Sequence, residues 1–246
     1  MTLLPPPPGL LAGAALFLDF DGTLVEIAAT PAAVTVPATL APLLTRLADA
    51  LGGRVAIVSG RAVADIRRLL PLPLAIAGSH GQELALPGQP ALAPDRTPAL
   101  DRAQAAVHAF VADRPGALVE EKPLGIGLHY RAAPALEAEA TAFAAALAAE
   151  HGLHLQRGKM VAELRLPGGG KGEALERLMR EPLFASARPL FMGDDLTDEP
   201  AFAAASAHHG AGILIGPPRD THARYRLDGV ADALAWLSSA AQGLAA

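Results

Sequence analysis

The sequence predicts an α/β protein: an open, largely parallel sheet with helices on both faces, interrupted by a smaller α+β insert. Three observations carry this. Five short apolar runs, AALFLD, RVAIVS, LAIAGS, PLFMGD and AGILIG, have the length and unbroken hydrophobicity of strands buried on both faces. Helical patterns lie between most of them, the alternation expected of a sheet covered by crossover helices. From about Leu100 to Arg165 the rhythm changes to helix, two strands, helix, two strands, which suits a small antiparallel sheet backed by two helices.

Each element has its own justification. Leu40, Leu43, Leu44, Leu47 and Leu51 recur at i, i+3, i+4, i+7 and i+11, one face of a helix. Further helices are expected over Arg61–Leu70, Lys171–Arg180, Asp198–Ala205 and Val230–Ser239. In the insert, LDRAQAAVHAFVAD and ALEAEATAFAAALAAEHG read as helices; ALVEEK, GIGLHYR, LHLQRG and KMVAELRL read as strands. LALPGQPALAPDRTPAL before it and LPGGG after it have the composition of hinges. The expected division is a core of residues 1–101 with 168–246 and an inserted cap of residues 102–167.

Composition narrows the classes. The chain has 246 residues, about half of them apolar, and a net charge of -5. A mild negative charge argues against nucleic acid or an anionic membrane as the partner. There is no cysteine, which excludes a disulfide framework and thiolate metal sites. The start, MTLLPPPPGLLAGAALF, lacks the basic n-region of a signal peptide, and no later apolar stretch has the length of a membrane span. A cytoplasmic location is expected, as a monomer or weak homo-oligomer, with PPPP read as an extended leader. Of 20 basic residues only Lys122, Lys159 and Lys171 are lysines, so lysine marks places where a compact point charge is wanted.

In open α/β sheets the carboxyl ends of the strands carry the site. Here they read Asp19, Ser59, the Gly78-Ser79-His80-Gly81 turn, and Gly193-Asp194-Asp195. LFLDFDGTLVE drives an apolar strand into Asp19 and Asp21. A rigid, partly desolvated carboxylate there can act as a nucleophile, and two carboxylates close together call for a cation such as Mg²⁺. Simple capping of the next segment would also account for them. FMGDDLTDE ends a second strand in Asp194, Asp195 and Asp198, more carboxylates than one helix cap needs. Ser59 with Gly60 and Arg61 can hold a phosphate at a helix start or serve as a plain N-cap. Lys171 opens a helix after GGG, where a cation opposes the helix dipole unless an anion is near; a solvated linker lysine is the alternative. His80 could orient a loop or a substrate. His208 and His209 read as loop histidines, since Mg²⁺ chemistry does not want imidazole.

In this order, Asp19-Phe20-Asp21-Gly22-Thr23-Leu24, Ser59, Lys171 and Gly193-Asp194-Asp195-x-x-Asp198 resemble the motifs of the haloacid dehalogenase-like phosphohydrolases. The insert resembles that family's C2-type cap on a Rossmann-like core. GSHGQE, EEKPLGIGLHYR, GKMVAELRLPGGGKGEAL and GDDLTDE narrow the resemblance to trehalose-6-phosphate phosphatases. The resemblance implies a Mg²⁺-dependent enzyme that hydrolyses a sugar phosphate through an aspartyl-phosphate. It implies Asp19 as nucleophile, Asp21 as acid and base, and Ser59 and Lys171 on the phosphate. Asp19, Asp21, Asp194, Asp195 and Asp198 would serve the metal. Gly60, Arg61, Glu120, Lys122, His129, Arg131, Lys159 and Glu163 would serve the substrate, with cap closure excluding water. Strand alternation places Glu120 with Lys122, and His129 with Arg131, on shared faces; whether Glu120 or Glu121 meets the sugar stays open. The alternatives are a related cap phosphatase for another sugar phosphate, such as sucrose phosphate or mannosyl-phosphoglycerate, a phosphomutase of similar fold, and a non-catalytic sugar-phosphate sensor.

Overall fold

Apolar strands end where carboxylates and glycines begin, and the architecture follows that punctuation. The computed structural model describes residues 3–28, 30–158 and 160–244. The chain divides into two compact units, one running through Leu92 and resuming at Gly169, the other spanning Ala93–Gly168.

The larger unit is built on a seven-stranded sheet. Its strands, numbered in chain order, are β1 (Ala14–Leu18), β2 (Val55–Val58), β3 (Ala75–Gly78), β4 (Glu83–Ala85), β9 (Arg188–Gly193), β10 (Ala211–Ile215) and β11 (Tyr225–Leu227). Their spatial order is β11-β10-β9-β1-β2-β3-β4, parallel throughout except for β4. The sequence runs outward from β1 through β2 and β3, then returns to place β9 on the other side of β1. The gap between β1 and β9 is therefore the topological switch point, where ligands bind in such sheets. Leu18 pairs with Met192 there, and the Asp19 N–H donates to the Met192 carbonyl at 2.9 Å.

Alternation along the strands separates two cores. Leu16, Leu18, Ile57, Ile76, Leu190 and Ile213 face α1 (Leu40–Ala50), α2 (Val63–Leu69) and α7 (Val230–Leu244). Phe17, Ala56, Val58, Phe191 and Leu214 face α5 (Lys171–Met179) and α6 (Glu199–Ala207). The leucine stripe is the buried face of α1. Two short edge strands, β4 and β11, have no clear signature in the sequence. Each has only three residues and lies at a sheet margin, where tertiary pairing decides. The proline-rich stretch packs on the sheet: Leu4 bridges Tyr225 of β11, and Trp236 Nε1 donates to the Pro6 carbonyl at 3.0 Å.

The smaller unit has a four-stranded antiparallel sheet, β5 (Leu118–Lys122), β6 (Gly125–His129), β7 (His154–Gly158) and β8 (Val161–Arg165), in the order β5-β6-β8-β7. Ile126, Leu128, Ala162 and Leu164 pack against α3 (Pro98–Ala112) and α4 (Glu137–His151). Thr97 caps α3 by accepting from the Leu100 N–H, with Pro98 at the first position; Gly152 ends α4 at φ 63°. No helix among the described residues is long and apolar enough to cross a membrane.

Candidate active site

The switch point collects charge. Lys171, the first residue of α5, lies 2.7 Å from Asp19 Oδ1 and 2.7 Å from Asp198 Oδ1. All three side chains are buried, at 4 %, 5 % and 0 % exposure, so water supplies none of the solvation they lost. Asp198 spends its other oxygen on the Asp195 N–H, at 2.9 Å. Asp195 and Asp198 thus form a reciprocal capping box, and two of the three aspartates in GDDLTDE do cap the turn.

Asp19, Asp194 and Asp198 present oxygens that lie within 4.8 Å of one another. Burial pushes the Asp19 carboxyl well above its usual range; Lys171 pulls it back, while Asp198 and Asp194 push it further up. Burial works against the Lys171 charge, but Asp19 and Asp198 outweigh it and hold the ammonium firmly protonated. Among the described residues, three acids gather round one ammonium here, all of them hard oxygen donors. That donor set fits Mg²⁺.

Glycine makes the cluster possible. Gly22 sits at φ 84°, and a Cβ there would stand 2.4 Å from the Asp194 carboxyl carbon. The glycine of the D-x-D-G stretch therefore makes room for an acid 172 positions later in the chain (194 less 22). Asp21 is gripped in bidentate fashion by Arg61, with Nε to Oδ2 at 2.7 Å and Nη2 to Oδ1 at 2.8 Å. Ser59 is buried, and its Oγ accepts the Arg61 N–H at 3.1 Å, so the hydroxyl folds over the start of its own turn.

In the smaller unit, cross-strand register lines up Glu120, Gly127, Glu163 and Gln156 in one row. Lys122 Nζ lies 2.5 Å from Glu163 Oε2 and 3.7 Å from Glu120 Oε2, and His129 Nε2 meets Glu120 Oε2 at 2.8 Å. Burial alone would push the Glu120 carboxyl up; the His129 hydrogen bond and the Lys122 charge outweigh it and hold it below the usual carboxylate range. Glycines in β6 clear the space, since a Cβ at Gly127 would stand 3.2 Å from both Glu120 Oε2 and His129 Nε2. Glu121 alternates to the other face and meets His108 Nε2 at 2.7 Å, so Glu120 is the carboxylate of the polar cluster. Arg131 lies in an exposed turn, because β6 ends at His129 and strand alternation does not reach it. Lys159 lies outside the described residues.

Comparison with known proteins agrees with this geometry. The trehalose-phosphatase family profile matches residues 17–231. The chain belongs to the trehalose-phosphatase family. A probable trehalose-phosphate phosphatase of Sinorhizobium fredii is 39% identical over 83% of this chain and 78% of its own. The trehalose-6-phosphate phosphatase of Escherichia coli is 37% identical over 94% and 87%. A crystal structure described as a trehalose-6-phosphate phosphatase related protein superposes with a TM-score of 0.76 at 28% identity, covering 90% of this chain and 94% of that one.

Among the site's supports, sequence reading misses Glu199 and Arg219. Arg219 pairs with Glu199 and donates Nη2 to the Asp195 carbonyl at 2.9 Å. Glu199 also accepts the His222 N–H at 2.7 Å and the Thr221 hydroxyl at 3.1 Å. These bonds tie the GPPRDTH loop after β10 to the acidic turn. The diproline marks a loop but gives no sign of where its arginine goes.

Proposed function

We propose that the protein is a Mg²⁺-dependent phosphatase that hydrolyses trehalose 6-phosphate to trehalose and inorganic phosphate. The observation that carries this is the convergence of Asp19, Asp194, Asp198 and Lys171 at the switch point, in a family whose model spans most of the chain.

Asp19 attacks phosphorus in line, and the bond from phosphorus to the sugar oxygen breaks. Asp21 gives that oxygen its proton, releasing trehalose and leaving phosphate esterified to Asp19. Asp21 then takes a proton from water, which attacks the same phosphorus and frees Asp19 and inorganic phosphate. Lys171 orients the Asp19 carboxylate and, with Ser59 and Gly60, holds phosphate oxygens. Arg61 holds Asp21 by two bonds, and a carboxylate so gripped is a poor proton donor. An arriving phosphate dianion competes for the guanidinium and releases Asp21 to act. Asp19, Asp194 and the Asp21 carbonyl would hold Mg²⁺, with Asp195 and Asp198 behind them. When bound, the ion would offset the charge of these carboxylates and that of the phosphoryl oxygens.

Glu120, Lys122, His129 and Glu163 offer a row of charged acceptors and donors on one sheet face, suited to the hydroxyls of a disaccharide. Arg131 and Lys159 are assigned to the same sugar by the family resemblance alone. A cytoplasmic location belongs to the same proposal, supported by the cysteine-free chain; cell fractionation tests it. The activity is tested by phosphate release from trehalose 6-phosphate, glucose 6-phosphate and sucrose 6-phosphate, with Mg²⁺ and with chelator. Release from the first alone, and only with Mg²⁺, is the expected result; preference for another sugar phosphate would overturn the substrate assignment.

A further inference from the structure

The GSHGQE turn, Gly78–Glu83, has no part in the reaction above, yet it is built at a cost. Ser79 and His80 are consecutive buried residues at φ 48° and 54°. Side chains resist the left-handed region, and such strain persists only where the surroundings over-determine it. Here they do. Ser79 Oγ donates to Glu83 Oε2 at 2.6 Å, and the same oxygen accepts the Val63 N–H at the start of α2 at 3.1 Å. Glu83 is itself buried.

The turn reaches two other segments. The Ser79 N–H donates to the Arg61 carbonyl at 2.8 Å and the His80 N–H to the Ser59 carbonyl at 3.0 Å. The His80 ring lies over Gly60, where a Cβ would stand 2.6 Å from two ring atoms. On the opposite side the His80 carbonyl accepts the Gly170 N–H at 2.6 Å, next to Lys171, and the Gly81 carbonyl accepts Arg177 Nη1 of α5 at 2.7 Å. Ser59–Arg61 and the residue preceding Lys171 are thus bonded to one strained turn.

We infer that Glu83, acting through Ser79 and His80, is a positioning residue that sets the spacing between the two arms of the phosphate site. The inference rests on the phosphatase reading. The bonds above run to the backbone of Ser59–Arg61 and Gly170 and to the Arg177 side chain, so the expected effect falls on phosphate affinity. The experiment compares Glu83→Ala and Glu83→Gln with wild type, measuring KM for trehalose 6-phosphate, inhibition by inorganic phosphate, and Mg²⁺ binding by calorimetry. In Glu83→Ala, KM and the phosphate inhibition constant should rise together by about tenfold, with kcat within about threefold. Mg²⁺ affinity should stay put, and Glu83→Gln, which keeps an acceptor oxygen, should recover most of the loss. A merely structural role would lower the melting temperature and the amount of active enzyme, leaving KM and the inhibition constant alone. Should Glu83→Ala fail to fold, Ser79→Ala removes only the 2.6 Å bond and carries the same expectation. Unmoved phosphate constants in a folded variant, or an equal loss of Mg²⁺ affinity, would overturn the inference. A wild type that releases no phosphate from any sugar phosphate would instead overturn the phosphatase reading.

Discussion

Replacing Lys171 with methionine tests the electrostatics of the site at its centre. The ammonium stands 2.7 Å from two carboxylates, with all three groups buried. Methionine has a similar shape and no charge, so the substitution leaves Asp19 and Asp198 facing each other unpaired. Breaking a buried pair by removing one partner costs about 3–5 kcal/mol, and that cost is expected in urea unfolding with chelator present. The cluster loses its one positive neighbour at 2.7 Å, so divalent cations should bind more tightly, not less. Calorimetric titration should show Mg²⁺ affinity rising by about tenfold, while turnover falls by at least about a hundredfold. Mg²⁺ should also restore more stability to the variant than it adds to wild type. Equal stability without metal, or weaker Mg²⁺ binding, would refute the reading of Lys171 as the counter-charge of this cluster.

Other expectations follow from the same geometry. Gly22→Ala puts a methyl into the Asp194 carboxylate and a Cβ at φ 84°; it should weaken Mg²⁺ binding and cost about 1–2 kcal/mol of stability, read by calorimetry and thermal melts. Glu163→Gln removes the charge 2.5 Å from Lys122 in the smaller unit and should raise KM for trehalose 6-phosphate by about tenfold while leaving hydrolysis of a small aryl phosphate within about twofold. The Asp19 carboxyl, raised in the folded state, binds a proton that the unfolded chain has already released. Stability without metal should therefore fall as pH rises above the ordinary value of 3.8 toward the raised folded value. Saturating Mg²⁺ should flatten that slope, as denaturation across pH would show.

The α/β class was legible because strands buried on both faces write continuous apolar runs, and because each run stops at a residue that cannot be buried without a partner. That logic points to Asp19, Ser59 and Asp194 from the sequence alone. It could not reach pairings made by the topology. Nothing local says that Arg61 grips Asp21, that Gly22 makes room for Asp194, or that Glu83 anchors the Ser79–His80 turn. The first two join residues far apart in the chain and are decided by strand order; the third lies within one turn whose left-handed backbone no residue type announces. The sequence pattern puts helix starts a residue or two early, at Arg61 and Asp198, because Ala62 N-caps α2 and a 3₁₀ turn, Leu196–Asp198, precedes α6. The capping role of Asp195 and Asp198 shows how a structural and a chemical use can share one carboxylate. Arg131 illustrates the limit of alternation, which holds only while the strand lasts.

The central claim is that Asp19 carries the phosphoryl group between two in-line displacements. Each displacement inverts phosphorus, so two restore it. The direct measurement is the stereochemical course of hydrolysis, using a sugar thiophosphate made chiral with oxygen isotopes and cleaved in isotopic water. Retention of configuration is the predicted result; inversion, the signature of a single direct attack by water, would contradict the account.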